Sequence, residues 1–260
     1  MIARQHFSSS TDFANWCKIN LDGTKSSWSA NGKMQAGIKS LEFGNTNYVE
    51  EIKKVSTLIW ENIPVLRRIW QTSVYGVFPN VPAYLRGEPE HMFNQQDDYN
   101  EHTPIKLYIG VGSSAGISNN NLIKRGAALA AFASALSEIR PVTLTPYSYA
   151  SNRSYTESSV TSWDISSSPL ILSDIAACLI DENVHRGVCV EADFTINKTF
   201  PGYFEDNKDE EKMRRYLGCQ EQDLFFPQVY LTDPWIQDPI KMVKEYLSKY
   251  TTEGDNDSTF

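Results

Sequence analysis

Residues 104–147 read PIKLYIGVGSSAGISNNNLIKRGAALAAFASALSEIRPVTLTPY, and this stretch decides the fold. Ile105, Leu107, Ile109 and Val111 alternate with Lys106, Tyr108 and Gly110, the two-residue period of a β-strand with one face more apolar than the other. A loop of Gly112, Ser113, Ser114 and Gly116 follows, and Ser118 or Asn119 can supply a side-chain oxygen to the first free N–H groups of a helix. The spacing predicts that helix from about Asn121 to Ile139. Ala127, Ala128, Ala130, Ala131, Ala133 and Ala135 give it high propensity and a thin profile, and Leu122, Leu129, Phe132 and Leu136 recur at spacings of 7, 3 and 4. Pro141 ends it, and Val142 and Leu144 start a second strand. The crossover is long enough for parallel pairing, so the expected fold is α/β, a mixed sheet around a central strand-helix-strand unit.

Loops at the carboxyl end of such a strand, facing a helix N-terminus, are where open α/β sheets bind ligands, which makes Gly112 to Ser118 a candidate anion site. A plain turn is the commoner use of such a loop. Neither the phosphate-loop spacing with Lys after Gly nor Gly-x-Gly-x-x-Gly is present.

The chain has 260 residues, 41% hydrophobic and 12% aromatic, ample for a sizeable core. No apolar run approaches about 18 residues and no charged, apolar, small-residue leader opens the chain, so neither a membrane span nor secretion is expected. Cys17, Cys178, Cys189 and Cys219 lack Cys-x-x-Cys spacing, and His6, His91, His102 and His185 are dispersed. A zinc site or disulfide framework is therefore not expected, and a reducing cytoplasm fits best. The net charge of −8 argues against coating duplex DNA through bulk charge. It is unevenly spread. Residues 1–40 carry five basic and two acidic side chains, whereas residues 205–260 carry 13 acidic and 7 basic.

The first 40 residues are rich in Ser, Asn, Gly and Lys with Phe7, Phe13, Trp16 and Trp28 interspersed, and they read as a basic and aromatic arm. Rings between cations suit single-stranded nucleic acid, where bases stack and phosphates follow the charge. An arm that packs its rings on the domain is the alternative. Val49, Ile52, Val55, Ile59 and Ile63 mark a helix that Pro64 breaks. Arg67, Arg68 and Trp70 form a basic and aromatic patch, and Pro79, Pro82, Pro89 and Gly87 stiffen a loop with Tyr84 and Leu85 as its expected buried anchor. Tyr147, Tyr149, Arg153 and Tyr155 fall in or beside a surface loop or β-ribbon, and Glu205 to Gly218 reads as an exposed, charge-dense helix. Residues 41–250 are read as one α/β domain, and 251–260, with Glu253, Asp255, Asp257 and a final Phe260, as a free acidic tail. No nucleophile-elbow signature is present, and Asp97-Asp98 lies in a polar loop without an apolar wall, so an enzyme is not expected.

Two resemblances add to this. A strand ending in small residues, then an amphipathic helix and a second strand, resembles a von Willebrand factor A domain. That family holds a divalent cation with Asp-x-Ser-x-Ser at the strand end; Gly110, Val111 and Gly112 stand where the Asp would fall, so the resemblance implies the fold without its metal. Val81-Pro82-Ala83-Tyr84-Leu85 with Gly87, Pro89 and Met92, Ser114-Ala115-Gly116-Ile117-Ser118, Arg125-Gly126-Ala127-Ala128 and Arg140-Pro141-Val142 resemble a family of phage-encoded proteins over roughly Arg67 to Val190, with an echo at Phe43-Gly44-Asn45-Thr46. The acidic tail with its terminal ring is similar to the tails of single-stranded DNA-binding proteins. Among podoviruses with a virion RNA polymerase, such proteins include cofactors that recruit a second RNA polymerase.

The resemblance implies a single-stranded DNA-binding transcription or replication cofactor in the cytoplasm of an infected bacterial host, with phage RNA polymerase as partner and no cofactor or metal. The expected nucleic-acid contacts are Arg67, Arg68, Trp70, Lys124, Arg125, Tyr147, Tyr149, Arg153 and Tyr155; the expected partner contacts are Asp255, Asp257 and Phe260. The alternative is a structural or adaptor protein that meets other phage proteins and no nucleic acid.

Overall fold

The strand-helix-strand unit is present. Ile105–Gly110 and Val142–Ser151 pair in parallel, with Ile105 opposite Val142 and Gly110 opposite Tyr147, and the helix between them runs Asn119–Ser137. The helix starts two residues earlier than expected, where Ser118 Oγ accepts from the Asn121 N–H at 3.3 Å. The computed structural model describes residues 2–21, 32–62, 70–74, 78–95, 104–112, 116–137, 141–151, 157–165, 171–197, 210–230 and 232–251.

In chain order the elements are β1 (Ile2–Phe7), α1 (Ser10–Asn20), α2 (Lys33–Phe43), a 3-10 turn (Thr46–Tyr48), α3 (Val49–Asn62), β2 (Trp70–Ser73), β3 (Phe78–Pro79), α4 (Val81–Leu85), β4 (Met92–Gln95), β5 (Ile105–Gly110), α5 (Asn119–Ser137), β6 (Val142–Ser151) and β7 (Ser158–Trp163). Then come α6 (Leu172–Leu179), a π-helical segment (Asn183–Cys189), α7 (Val190–Asn197), α8 (Glu210–Leu217), β8 (Leu224–Phe226), α9 (Pro234–Gln237) and α10 (Pro239–Thr251).

One sheet has the order β1-β7-β6-β5-β8 and is mixed, because β6 and β7 are antiparallel and the other pairs parallel. The two-residue period sorts its side chains. Tyr108, Tyr147, Tyr149, Val160 and Phe225 lie together on one side with Met213 of α8, and Ile2, Tyr216, Leu217 and Cys219 pack against them. Phe226 points to the other side, where Phe132, Trp235 and Tyr246 surround it at ring distances of 5.3 to 6.1 Å. No helix among the described residues is long and apolar enough to cross a membrane.

The arm reading of residues 1–40 gives way over the described residues 2–21 and 32–40; residues 22–31, with Trp28, lie outside them. Ile2–Phe7 is an edge strand of the main sheet, in register with Ser158–Trp163. Ser9 caps α1, and Phe13, fully buried, stacks on Trp163 at 4.6 Å and lies 5.0 Å from Phe7. These rings build the core, and only the polar spacers between them made the segment look unable to fold.

The single-domain reading of 41–250 is also corrected. Met1–Asn62 with Thr103–Phe260 forms one unit and Ile63–His102 another, and among the described residues β2, β3 and β4 pair with one another in a separate antiparallel sheet. In this second unit Tyr84 and Leu85 are not a buried anchor: they are 63% and 77% exposed. Asn80 Oδ1 accepts from the Ala83 N–H at 3.2 Å, and this cap turns Ala83 inward and the larger residues outward.

In the first unit α2 and the π-helical segment meet backbone to backbone. A Cβ on Gly37 would lie 2.4 Å from the Asn183 carbonyl oxygen, and one on Gly187 would lie 2.8 Å from the Lys33 carbonyl oxygen. Gly37→Ala is therefore expected to cost about 1–3 kcal/mol by overpacking, read as a lower denaturant midpoint; an unchanged midpoint would show that α2 can slide away freely.

Candidate nucleic-acid interface

In a sheet of order β1-β7-β6-β5-β8 the chain leaves β5 toward β6 while β8 lies on the other side, so the carboxyl end of β5 is the crevice where open α/β sheets bind ligands. Here the crevice is filled from within. Arg125, expected at the surface, is 3% exposed. Its Nε donates to Asp233 Oδ2 at 2.7 Å, Nη1 to the Gly110 carbonyl at 3.0 Å and Nη2 to the Pro227 carbonyl at 2.5 Å. The guanidinium ties the ends of β5 and β8 together with three of its five N–H donors, and its burial keeps it from a phosphate in solvent. Asp233 also accepts from the Trp235 N–H at 2.9 Å, capping α9.

Gln228 occupies the crevice beside Gly112. It donates to the Tyr149 carbonyl at 3.1 Å, and a Cβ on Gly112 would sit 1.5 Å from its Oε1. The glycine at 112 thus serves this close approach. Of the anion-site loop, Gly112 and Gly116 to Ser118 are described, and residues 113–115 lie outside the described residues. Among the described residues no group of three or more His, Cys, Asp or Glu could hold a metal.

Tyr147 and Tyr149 are corrected as base-stacking residues. β6 continues to Ser151 and turns back into β7, so both rings belong to a central strand. Tyr147 is fully buried, stacked on Phe225 at 5.6 Å, with its hydroxyl donating to the Phe226 carbonyl at 3.3 Å. Tyr149 is 4% exposed. Neither ring has a free face for a base. Lys124 is exposed on α5 and does not share a face with its neighbour Arg125. Trp70 lies in β2, and Arg67, Arg68, Arg153, Tyr155, Asp255, Asp257 and Phe260 lie outside the described residues.

A different set comes together. On β1, Arg4 reaches over the ring of Tyr216 on α8, with its guanidinium carbon 5.1 Å from the ring centroid, and Lys212 Nζ lies 5.6 Å from the same centroid. Arg215, on the same helix, is 71% exposed and stands 3.9 Å from the Glu211 carboxylate. A surface pair this long contributes about 0–1 kcal/mol and yields readily to another anion. Two residues along β1, His6 sits 3.0 Å from Ser162 Oγ and 3.6 Å from Asp164 Oδ2, and Lys106 approaches the same carboxylate oxygen at 3.3 Å. The result is a half-buried tyrosine ring with cations from β1 and α8 over it, so the Arg4 guanidinium offers the outer plane for a base.

Sequence reading missed this set because α8 looks like an ordinary solvated helix. Two signals were available: the alternation Ile2, Arg4, His6 in β1, and the four-residue spacing of Lys212 and Tyr216 that places them on one helical face.

No curated protein and no solved structure matches the chain significantly. The model of a family described as a domain of unknown function, DUF7192, matches residues 1–254, and the chain belongs to that family.

Proposed function

We propose that this protein binds single-stranded nucleic acid without acting on it chemically, through the surface formed by Arg4, Lys212, Arg215 and Tyr216. The observation that carries the reading is the tyrosine ring bracketed by two cations at 5.1 and 5.6 Å beside a third exposed cation. Stacking of a base on a ring or on a guanidinium plane contributes about 1–3 kcal/mol and needs an unpaired base, while the cations follow the phosphates. A net charge of −8 argues against duplex binding through bulk charge. In the cofactor role drawn from the resemblance, the strand is DNA and the acidic tail recruits a phage RNA polymerase.

A fluorescence-anisotropy titration with one labelled oligonucleotide, single-stranded and then annealed to its complement, tests the reading. Tighter binding of the single strand is expected. Equal affinities, or no binding at low salt, would sink it in favour of the adaptor reading. That second reading has its own support in α4, which holds Val81, Tyr84 and Leu85 outward at 53%, 63% and 77% exposure.

A further inference from the structure

The contact between α7 and the sheet is polar at its centre. Asp193, fully buried, accepts from Ser148 Oγ of β6 at 2.7 Å and from Ser159 Oγ and Thr161 Oγ1 of β7 at 3.1 and 3.3 Å. Neither strand contains a charged residue, α7 carries only Glu191 besides Asp193, and no cation among the described residues pairs with the carboxyl. The other titratable groups nearby lie in the π-helical segment that packs on α7: Cys189, which burial keeps as a neutral thiol, and His185 and Arg186 further back. Ser151 of β6 and Thr195 of α7 also bury hydroxyls, and these find no partner among the described residues.

A charge in such a place is costly without a counter-ion, whereas a neutral carboxyl is not, and the three hydroxyls can rotate to serve either form. We propose that α7 is held against the sheet by a proton on the Asp193 carboxyl and loosens from it when that carboxyl ionises. Burial raises the group from its ordinary 3.8 to about 7, against the lowering effect of the three hydroxyls. The folded state therefore favours the protonated form. Its advantage is complete below about 4 and is lost as pH rises through about 7. His185 works in the opposite direction: burial lowers it to about 4, so its contribution is lost as pH falls from about 6.5. A global melting curve mixes the two, and a local readout separates them.

Amide hydrogen exchange of the full chain at pH 5.5 and 8.5, corrected for the intrinsic pH dependence of exchange, supplies that readout. Peptides covering 190–197 are expected to open about tenfold more often at the higher pH, while β5 does not change; a group raised from 3.8 to about 7 bounds the effect over this interval at about thirtyfold. Asp193→Asn should remove the difference. Equal protection at both pH values, or a difference that survives in Asp193→Asn, overturns the proposal. Should that variant fail to fold, the carbon-13 carboxyl resonance of Asp193 in the unaltered protein decides: titration near neutral pH supports the proposal, and full ionisation at pH 5.5 overturns it.

Discussion

Arg125→Ala is expected to lower stability by about 3–5 kcal/mol, because it leaves the Asp233 carboxylate unpaired in a site where both side chains are 4% exposed. It also orphans the Gly110 and Pro227 carbonyls that the guanidinium serves at 3.0 and 2.5 Å. Against a total of about 5–15 kcal/mol this is a large fraction, read as a fall in melting temperature of about 10 °C or more. Arg125→Lys should recover little of it, since an ammonium cannot span a carboxylate and two carbonyls as the planar fork does. Replacing both partners by apolar residues, Arg125→Met with Asp233→Leu, should cost less than either truncation alone. A fall below about 1 kcal/mol accompanied by weaker oligonucleotide binding would return Arg125 to the surface role its charge first implied.

Trp163→Ala should cost about 3–5 kcal/mol, the range for emptying a large buried aromatic site. Trp163 is fully buried, stacks on Phe13 at 4.6 Å and donates its indole N–H to Cys178 Sγ at 3.2 Å. The variant removes one of the ring contacts that tie the first helix to the sheet, and a second consequence is chemical. Burial pushes the Cys178 thiol up to about 12 and makes it inert toward thiol reagents in the native fold. In Trp163→Ala its labelling should rise sharply at neutral pH. Unchanged stability and unchanged labelling would mean that residues 1–20 do lie on the domain as an arm.

What the sequence disclosed follows the range of the interactions involved. The unit from Ile105 to Tyr147 is legible because its strand alternation, glycine loop, alanine-rich helix and closing proline are all local. Tyr147 and Tyr149 were misread because α8 and β8, which pack on them, come from a distant part of the chain. Arg125 was misread for a related reason: a charged residue in an alanine helix looks exposed, and Asp233 lies 108 residues downstream. One signal was overlooked. Arg125 stands three residues after Leu122 and four before Leu129, on the apolar face, where a charge demands a buried partner. The interface was the least legible part, since pairing of β1 with β7 and packing of α8 on the same face are needed before Arg4 and Tyr216 can meet.

The salt dependence of single-strand affinity in Arg4→Ala with Arg215→Ala, set beside Tyr216→Leu, tests the proposed surface most directly. If both arginines contact phosphate, the slope of log affinity against log salt should fall by about 1.4, roughly 0.7 for each phosphate contact on a single strand. Tyr216→Leu keeps an apolar side chain over the core, so it should leave the slope unchanged while weakening binding by about tenfold, as loss of one stacked base does. With melting temperatures that show the variants folded, an unchanged slope and an unchanged affinity would contradict the account.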